Sequence, residues 1–191
     1  QPIEQLAGLR AIPNLNVFRL ADVNETLECW EIALKSHNTP SVIALSRQKV
    51  PYINPQNSKK NKCENGAYTV HITSHESNVT LLASGTELEL ALKVQEKLKE
   101  NNIHSKVVSM PCMELFDKQS KEFKEDLIEE SSLVVTLEAG SVTHWQKYIK
   151  NKGLNLGIDK FGESAPYKEV YDHFNLNEDK ITSLIQEKLR E

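Results

Sequence analysis

A chain of 191 residues, 39% hydrophobic and 26% charged, has the composition of an ordinary folded protein with room for one large or two small domains. A net charge of −4, with no basic stripe interleaved with aromatics, argues against nucleic acid as a partner, and no apolar run approaches the ~20 residues of a membrane span. Three cysteines, Cys29, Cys63 and Cys112, lie far apart without a C-x-x-C spacing, so neither a disulfide framework nor a zinc site is suggested, which fits a reducing compartment such as the cytoplasm.

The chain opens without Met in a helical pattern, with Pro2 suited to a first turn and Ile3, Leu6 and Ala7 on one side. It therefore reads as a piece of something longer. After the Ile12-Pro13-Asn14 break, residues 15–20 alternate like a strand. Asp22 with Glu25 then makes a capping-box pattern for a helix ending near 35–38. Pro40 leads into Val42, Ile43, Ala44 and Leu45, a short apolar run that reads as a buried strand of a parallel sheet.

Ser46, Arg47 and Gln48 follow at the carboxyl end of that strand, the edge where open α/β sheets bind ligands. Arg47 carries a fork of donors suited to a phosphate or carboxylate, although from spacing alone a solvated strand-end arginine is the simpler reading. The order helix, strand, helix, strand is that of the tail of a parallel α/β domain.

Residues 52–66 are polar, rich in asparagine and lysine, and read as an interdomain connection or exposed loop. Lys59, Lys60 and Lys62 form the one basic cluster, and solvation explains it. Beyond them lie an edge strand at 68–73 and a buried strand at 79–83. Thr86 and Glu89 give a second capping-box pattern, for a helix to about 100. A strand at 103–110, a helix at 117–129, a strongly apolar strand at 133–137, a helix around 142–150, a short strand at 156–161 and helices at 166–174 and 178–189 complete the pattern.

Other constellations have plain explanations. His71 and His75 bracket a strand end, where a spacing of four does not put ligands on one face. The Ser84-Gly85-Thr86 turn precedes a helix and lacks a G-x-G-x-x-G fingerprint. Asp117, Glu138 and Glu163 suit capping or interface contacts, and Cys112, behind Pro111, suits a buried thiol.

Several segments, in order, resemble the carboxyl-terminal third of transketolase. They are Gln1-Pro2-Ile3-Glu4-Gln5-Leu6-Ala7 with Leu9-Arg10, Ile12-Pro13-Asn14, Ala21-Asp22 with Glu25, and Leu45-Ser46-Arg47-Gln48. Ser84-Gly85-Thr86-Glu87, Ser109-Met110-Pro111-Cys112 running on to Phe116-Asp117, Glu138-Ala139-Gly140 and Phe161-Gly162-Glu163-Ser164-Ala165-Pro166 continue the series. The run from Ser109 to Asp117 is the most specific. Leu20 stands where the family usually has proline, and Lys49 where it usually has asparagine.

The resemblance implies an α/β fold: residues 1–52 as the tail of the parallel-sheet, pyrimidine-binding thiamine-type domain, 53–65 as linker, and 66–191 as a mostly parallel five-stranded carboxyl-terminal domain. It implies a transferase of the pentose phosphate pathway that moves a two-carbon ketol unit from a ketose phosphate to an aldose phosphate. Thiamine diphosphate and Mg2+ or Ca2+ serve it, in active sites between the subunits of a homodimer.

The family's Ser-Arg-Gln motif falls on Ser46, Arg47 and Gln48, so Arg47 with Ser46 is expected to hold the sugar phosphate. No catalytic, cofactor or metal ligand is expected in this stretch, because the family's Gly-Asp-Gly motif is absent and its glutamate and histidines belong to a missing amino-terminal part. This chain alone is expected to bind no cofactor and turn nothing over. A different class of reading stays open: residues 66–191 as an independently folded α/β module for dimerisation or regulation of a thiamine-dependent enzyme.

Overall fold

A computed structural model describes residues 1–53, 60–149 and 153–191. Much of the polar stretch at 52–66, including Lys59, and the end of the helix expected at 142–150 lie outside these residues. Two sheets carry the fold. In the first, strand β1 (Asn16–Arg19) pairs in parallel with β2 (Ser41–Ala44), joined by helix α2 (Val23–Lys35) and preceded by the short helix α1 (Gln5–Arg10). Asp22 caps α2 by accepting from the Glu25 amide at 2.9 Å, while Glu25 Oε2 accepts from the Ala21 amide at 2.7 Å, so the reciprocal pattern read from the sequence forms.

Two expectations for this half change. Pro2 is not in the first turn, because Gln1 and Ile3 run extended and their carbonyls accept from the Gly162 and Ser141 amides, delaying the helix to Gln5. Strand β2 is half-buried rather than buried, since among the described residues β1 is its one sheet neighbour.

The second sheet has the order β3 (Tyr68–Ile72), β5 (Ser105–Ser109), β4 (Val79–Ala83), β6 (Leu133–Leu137), β7 (Leu154–Leu156). All pairs are parallel except β3 with β5, which is antiparallel and bulged between Thr69 and His71. The alternation of strand side chains divides the core in two. Leu81, Val107 and Val135 point toward helices α3 (Glu87–Glu100) and α7 (Glu178–Lys188), while Leu82, Val108 and Val134 meet Phe116 and Trp145 on the opposite face.

Three helical expectations are corrected. The helix expected over 117–129 is two, α4 (Met113–Asp117) and α5 (Lys121–Leu127), because Ser120 starts a new helix by accepting from the Phe123 amide at 3.2 Å. The 142–150 segment is a 3-10 helix over Thr143–Tyr148, whose three-residue turn sets Trp145 and Tyr148 on one side with ring centroids 6.0 Å apart. Thr86 does not cap α3, since it already has helical dihedrals. The last strand falls at Leu154–Leu156, not 156–161: beyond it, the Ile158 amide turns to the Gly140 carbonyl. Helix α6 (Tyr167–His173) then leads to α7.

The end of the polar stretch is packed, not exposed. Residues Cys63–Asn65 form a 3-10 turn, and the Lys62 and Cys63 amides donate to Glu28 Oε2 of α2 at 2.8 and 3.0 Å. Cys63 is fully buried with Cys29, Cys112, Phe18 and Leu20, so three cysteines distant in sequence share one apolar cluster. Burial pushes the Cys112 thiol up, the behaviour of a packing residue rather than a nucleophile. Among the described residues no helix is long and apolar enough to cross a membrane.

Candidate functional site

The carboxyl ends of both sheets meet around a cavity of about 610 Å³. Arg47 lines it from the loop after β2, exposed and without a hydrogen-bond or ion-pair partner among the described residues. Ser46 sits beside it, its hydroxyl donating to the Gln48 carbonyl at 3.0 Å and closing a tight turn. That turn is local, and β2 ends only at Ala44, so the guanidinium projects from a short loop over the cavity rather than from regular structure. Thr86, at the start of α3, and Tyr171 of α6 line the same cavity from the second unit.

The floor holds a second arginine that inspection of the sequence did not single out. Arg19, the last residue of β1, reaches into the second unit, where its Nη1 lies 2.5 Å from Glu87 Oε2 and 2.9 Å from Glu138 Oε1 and donates to the Ser84 carbonyl at 2.5 Å. Both carboxylates are buried. Glu138 also accepts from Trp145 Nε1 at 3.0 Å, and Glu87 Oε1 accepts from Thr86 Oγ1 at 2.7 Å and from the Tyr171 hydroxyl.

Burial works against the Arg19 charge and is outweighed by Glu138 and then Glu87, so the guanidinium is held above its usual range. Burial likewise opposes ionisation of Glu138, and Arg19 followed by His144 and Trp145 outweighs it, keeping the carboxyl below its usual value. Two carboxylates thus consume the charge of Arg19. Arg47 keeps its own.

Gly85 makes this arrangement possible. It adopts φ +59, and a Cβ there would come within 2.9 Å of the Arg19 side chain. The Gly85-Thr86-Glu87 and Glu138-Ala139-Gly140 segments, each too short to mean much alone, therefore form one clasp at the ends of adjacent strands β4 and β6. The signal that could have revealed it was their common position: two carboxylates just past neighbouring parallel strands require a shared cation.

A second seam joins the same two units. Arg10 Nη1 donates to both oxygens of Glu114, at 3.0 and 3.1 Å, and to the Val17 carbonyl at 3.1 Å, while the Val17 amide donates to Glu114 Oε2 at 3.0 Å. Glu114 lies in the Ser109 to Asp117 run. Of the remaining acidic and histidine candidates, Asp117 accepts from the Tyr148 hydroxyl at 2.8 Å and His71 meets Gln95 at 2.7 Å, while Glu163 is exposed and lines the cavity. Among the described residues no group of three or more His, Cys, Asp or Glu side chains is placed to hold a metal ion. The donors over the cavity, Arg47 above all, suit an anion rather than the cation of a metal-diphosphate site.

The family model of the transketolase-like TK C-terminal domain matches residues 66–177, and that of the transketolase pyrimidine binding domain matches residues 1–52. The chain is similar to transketolase of Sinorhizobium medicae (strain WSM419), 41% identical over 191 residues that make up 100% of this chain and 27% of the relative. It is also similar to the chloroplastic transketolase of Solanum tuberosum, 41% identical over 186 residues, 96% of this chain and 25% of the relative. The chain thus spans about a quarter of the length of these curated relatives.

Among solved structures, Pichia stipitis transketolase in complex with sedoheptulose-7-phosphate superposes with a TM-score of 0.91 at 32% identity, over 100% of this chain and 27% of that one. Transketolase from Campylobacter jejuni gives 0.88 at 38% identity, over 98% and 28%. A split-gene transketolase described as an inactive β4 tetramer shares the fold, with a TM-score of 0.79 at 22% identity, over 100% of this chain and 62% of that one.

Proposed function

Because this chain belongs to the transketolase family, we propose that it works as the carboxyl-terminal part of a transketolase and contributes Arg47, seconded by Ser46, to the phosphate of a sugar substrate. The parent reaction is transfer of a two-carbon ketol unit from a ketose phosphate to an aldose phosphate. Thiamine diphosphate with Mg2+ or Ca2+ supplies the carbanion chemistry, held by residues outside this chain in a homodimer. Here the boundaries are 1–52 for the end of the pyrimidine-binding domain, 53–65 for the linker and 66–191 for the carboxyl-terminal domain. A sugar phosphate in the complex of the Pichia stipitis relative is in keeping with this substrate class.

The observation that carries the reading is the state of Arg47: exposed, unpartnered among the described residues, and lining a cavity whose other arginine is already neutralised. A charge-assisted contact of this kind is worth ~1.5–3 kcal/mol, roughly a tenfold to hundredfold or greater effect on binding. In the assembled enzyme Arg47→Ala is expected to raise KM for a phosphorylated acceptor by at least about tenfold. The unphosphorylated sugar should be used almost as before. Equal losses for both acceptors would count against substrate contact.

The alternative, that residues 66–191 act as a separate association module, draws on the complete two-sided core of the second sheet. It does not account for an unpaired arginine held over a cavity.

A further inference from the structure

We infer that the Arg19 clasp fixes the position of Arg47, which makes Arg19 a positioning residue for substrate phosphate and assigns the carboxyl-terminal unit a part in substrate recognition. This rests on the reading of Arg47 given above.

Arg47 stands three residues beyond Ala44, the last residue of β2, and among the described residues β1 is the one strand neighbour of β2. The register pairs Ala44 with Arg19, and the Leu20 amide reaches the Ala44 carbonyl at 3.4 Å. Wherever β1 ends, the loop carrying Ser46 and Arg47 must begin. The end of β1 is in turn determined by the second unit. The Arg19 amide donates to the Pro111 carbonyl at 2.9 Å, and its guanidinium is gripped by Ser84, Glu87 and Glu138. A slip of one residue would carry the arginine to the other face and leave two buried carboxylates uncompensated, so the charged clasp admits one register.

The same clasp holds other parts of the cavity lining. Glu87 accepts from Tyr171 and Thr86, both of which line the cavity that Arg47 lines. Lining residues from both units are therefore tied to a single ion cluster. Because Arg19 has spent its charge, its effect on substrate passes through Arg47.

The test is a double-mutant cycle in the assembled enzyme with Arg47→Ala and Glu138→Gln, the second leaving Arg19 paired with Glu87 and its volume unchanged. Glu138→Gln alone should raise KM several-fold for a phosphorylated acceptor and less than twofold for the unphosphorylated sugar, with kcat retained. In the Arg47→Ala background it should add no phosphate-selective loss. If the two effects simply add, or if Glu138→Gln affects both acceptors alike, the positioning role is overturned while the substrate role of Arg47 stands. If Arg47→Ala shows no phosphate selectivity, the reading of the cavity itself fails.

A second measurement uses the present chain. Hydrogen exchange of the amides at 44–48 should accelerate at least tenfold on Glu138→Gln, while the amides of β4 and β6 keep their protection. Unchanged exchange at 44–48 overturns the inference. Should Glu138→Gln expose β4 and β6 as well, Arg19→Lys, which keeps the cation but loses the fork, replaces it under the same two criteria.

Discussion

Glu25 carries two tasks on one side chain. It closes the start of α2, and its Oε1 accepts from the Tyr68 hydroxyl of β3 at 2.9 Å and from Ser109 of β5, stitching the first unit to the second sheet. Burial pushes its carboxyl up to about 7 from an ordinary 4.5, against the pull of the hydrogen bonds from Ser109, Ala21 and Tyr68. The folded state thus binds a proton more tightly than the unfolded state, so stability contributed by this group is full below pH 4.5 and declines as pH rises toward 7.

Denaturant titrations of the present chain across that window should show the decline, on the order of 3 kcal/mol at most, and Glu25→Gln should flatten it. An unchanged slope in the variant would assign the pH dependence elsewhere. Glu25 was legible as a helix cap because cap and partner lie three residues apart. Its second role, like the whole of the Arg19 clasp, was not, because the partners belong to strands far along the chain. The position of Arg47 past the end of β2 was legible for the opposite reason: a short apolar run followed by a polar motif needs only local sequence.

At the scale of elements, the sequence pattern located the central strands well, since the fully buried β4 and the nearly buried β6 announce themselves as apolar runs. Errors fell where a tertiary contact overrides local preference, at the restart of α5 on Ser120, in the 3-10 turn that sets Trp145 edge-on to Tyr148, and at the displaced β7, beyond which the Ile158 amide turns to Gly140. Helix α2 shows what its pattern conceals. Val23, Leu27, Trp30 and Leu34 recur at helical spacing yet are 56%, 65%, 48% and 72% exposed, an apolar stripe of the kind that marks an interaction face. Leu27→Lys combined with Leu34→Lys should lower dye binding and self-association of this chain, as followed by fluorescence and light scattering. Its melting temperature should barely change, because surface substitutions usually stay within about 0.5 kcal/mol. A large drop in melting temperature would mean the stripe is already packed.

For the whole molecule, the polar contacts that join the two units include those of Arg10 with Glu114, Arg19 with Glu87 and Glu138, and Glu25 with Tyr68 and Ser109. The second sheet nonetheless owns both faces of its core. Residues 66–191 expressed alone should fold cooperatively but melt several degrees lower than the present chain, because the clasp carboxylates lose their arginine. Equal melting temperatures would show that the clasp contributes no stability. Calorimetry of the present chain with thiamine diphosphate and magnesium should detect no micromolar site, and finding one would move the cofactor residues into this stretch.

The placement of Arg19 also orders events in time. During synthesis the amino end leaves the ribosome first, so β1 is in solution well before Glu87 and long before Glu138 exists as a partner. Until the sixth strand has emerged, a cation meant for the interior has nowhere to go, and docking of the early segment waits for the late one. A ribosome stalled short of Glu138 should therefore display a protease-sensitive β1 segment, and one stalled well beyond Glu138 a resistant one.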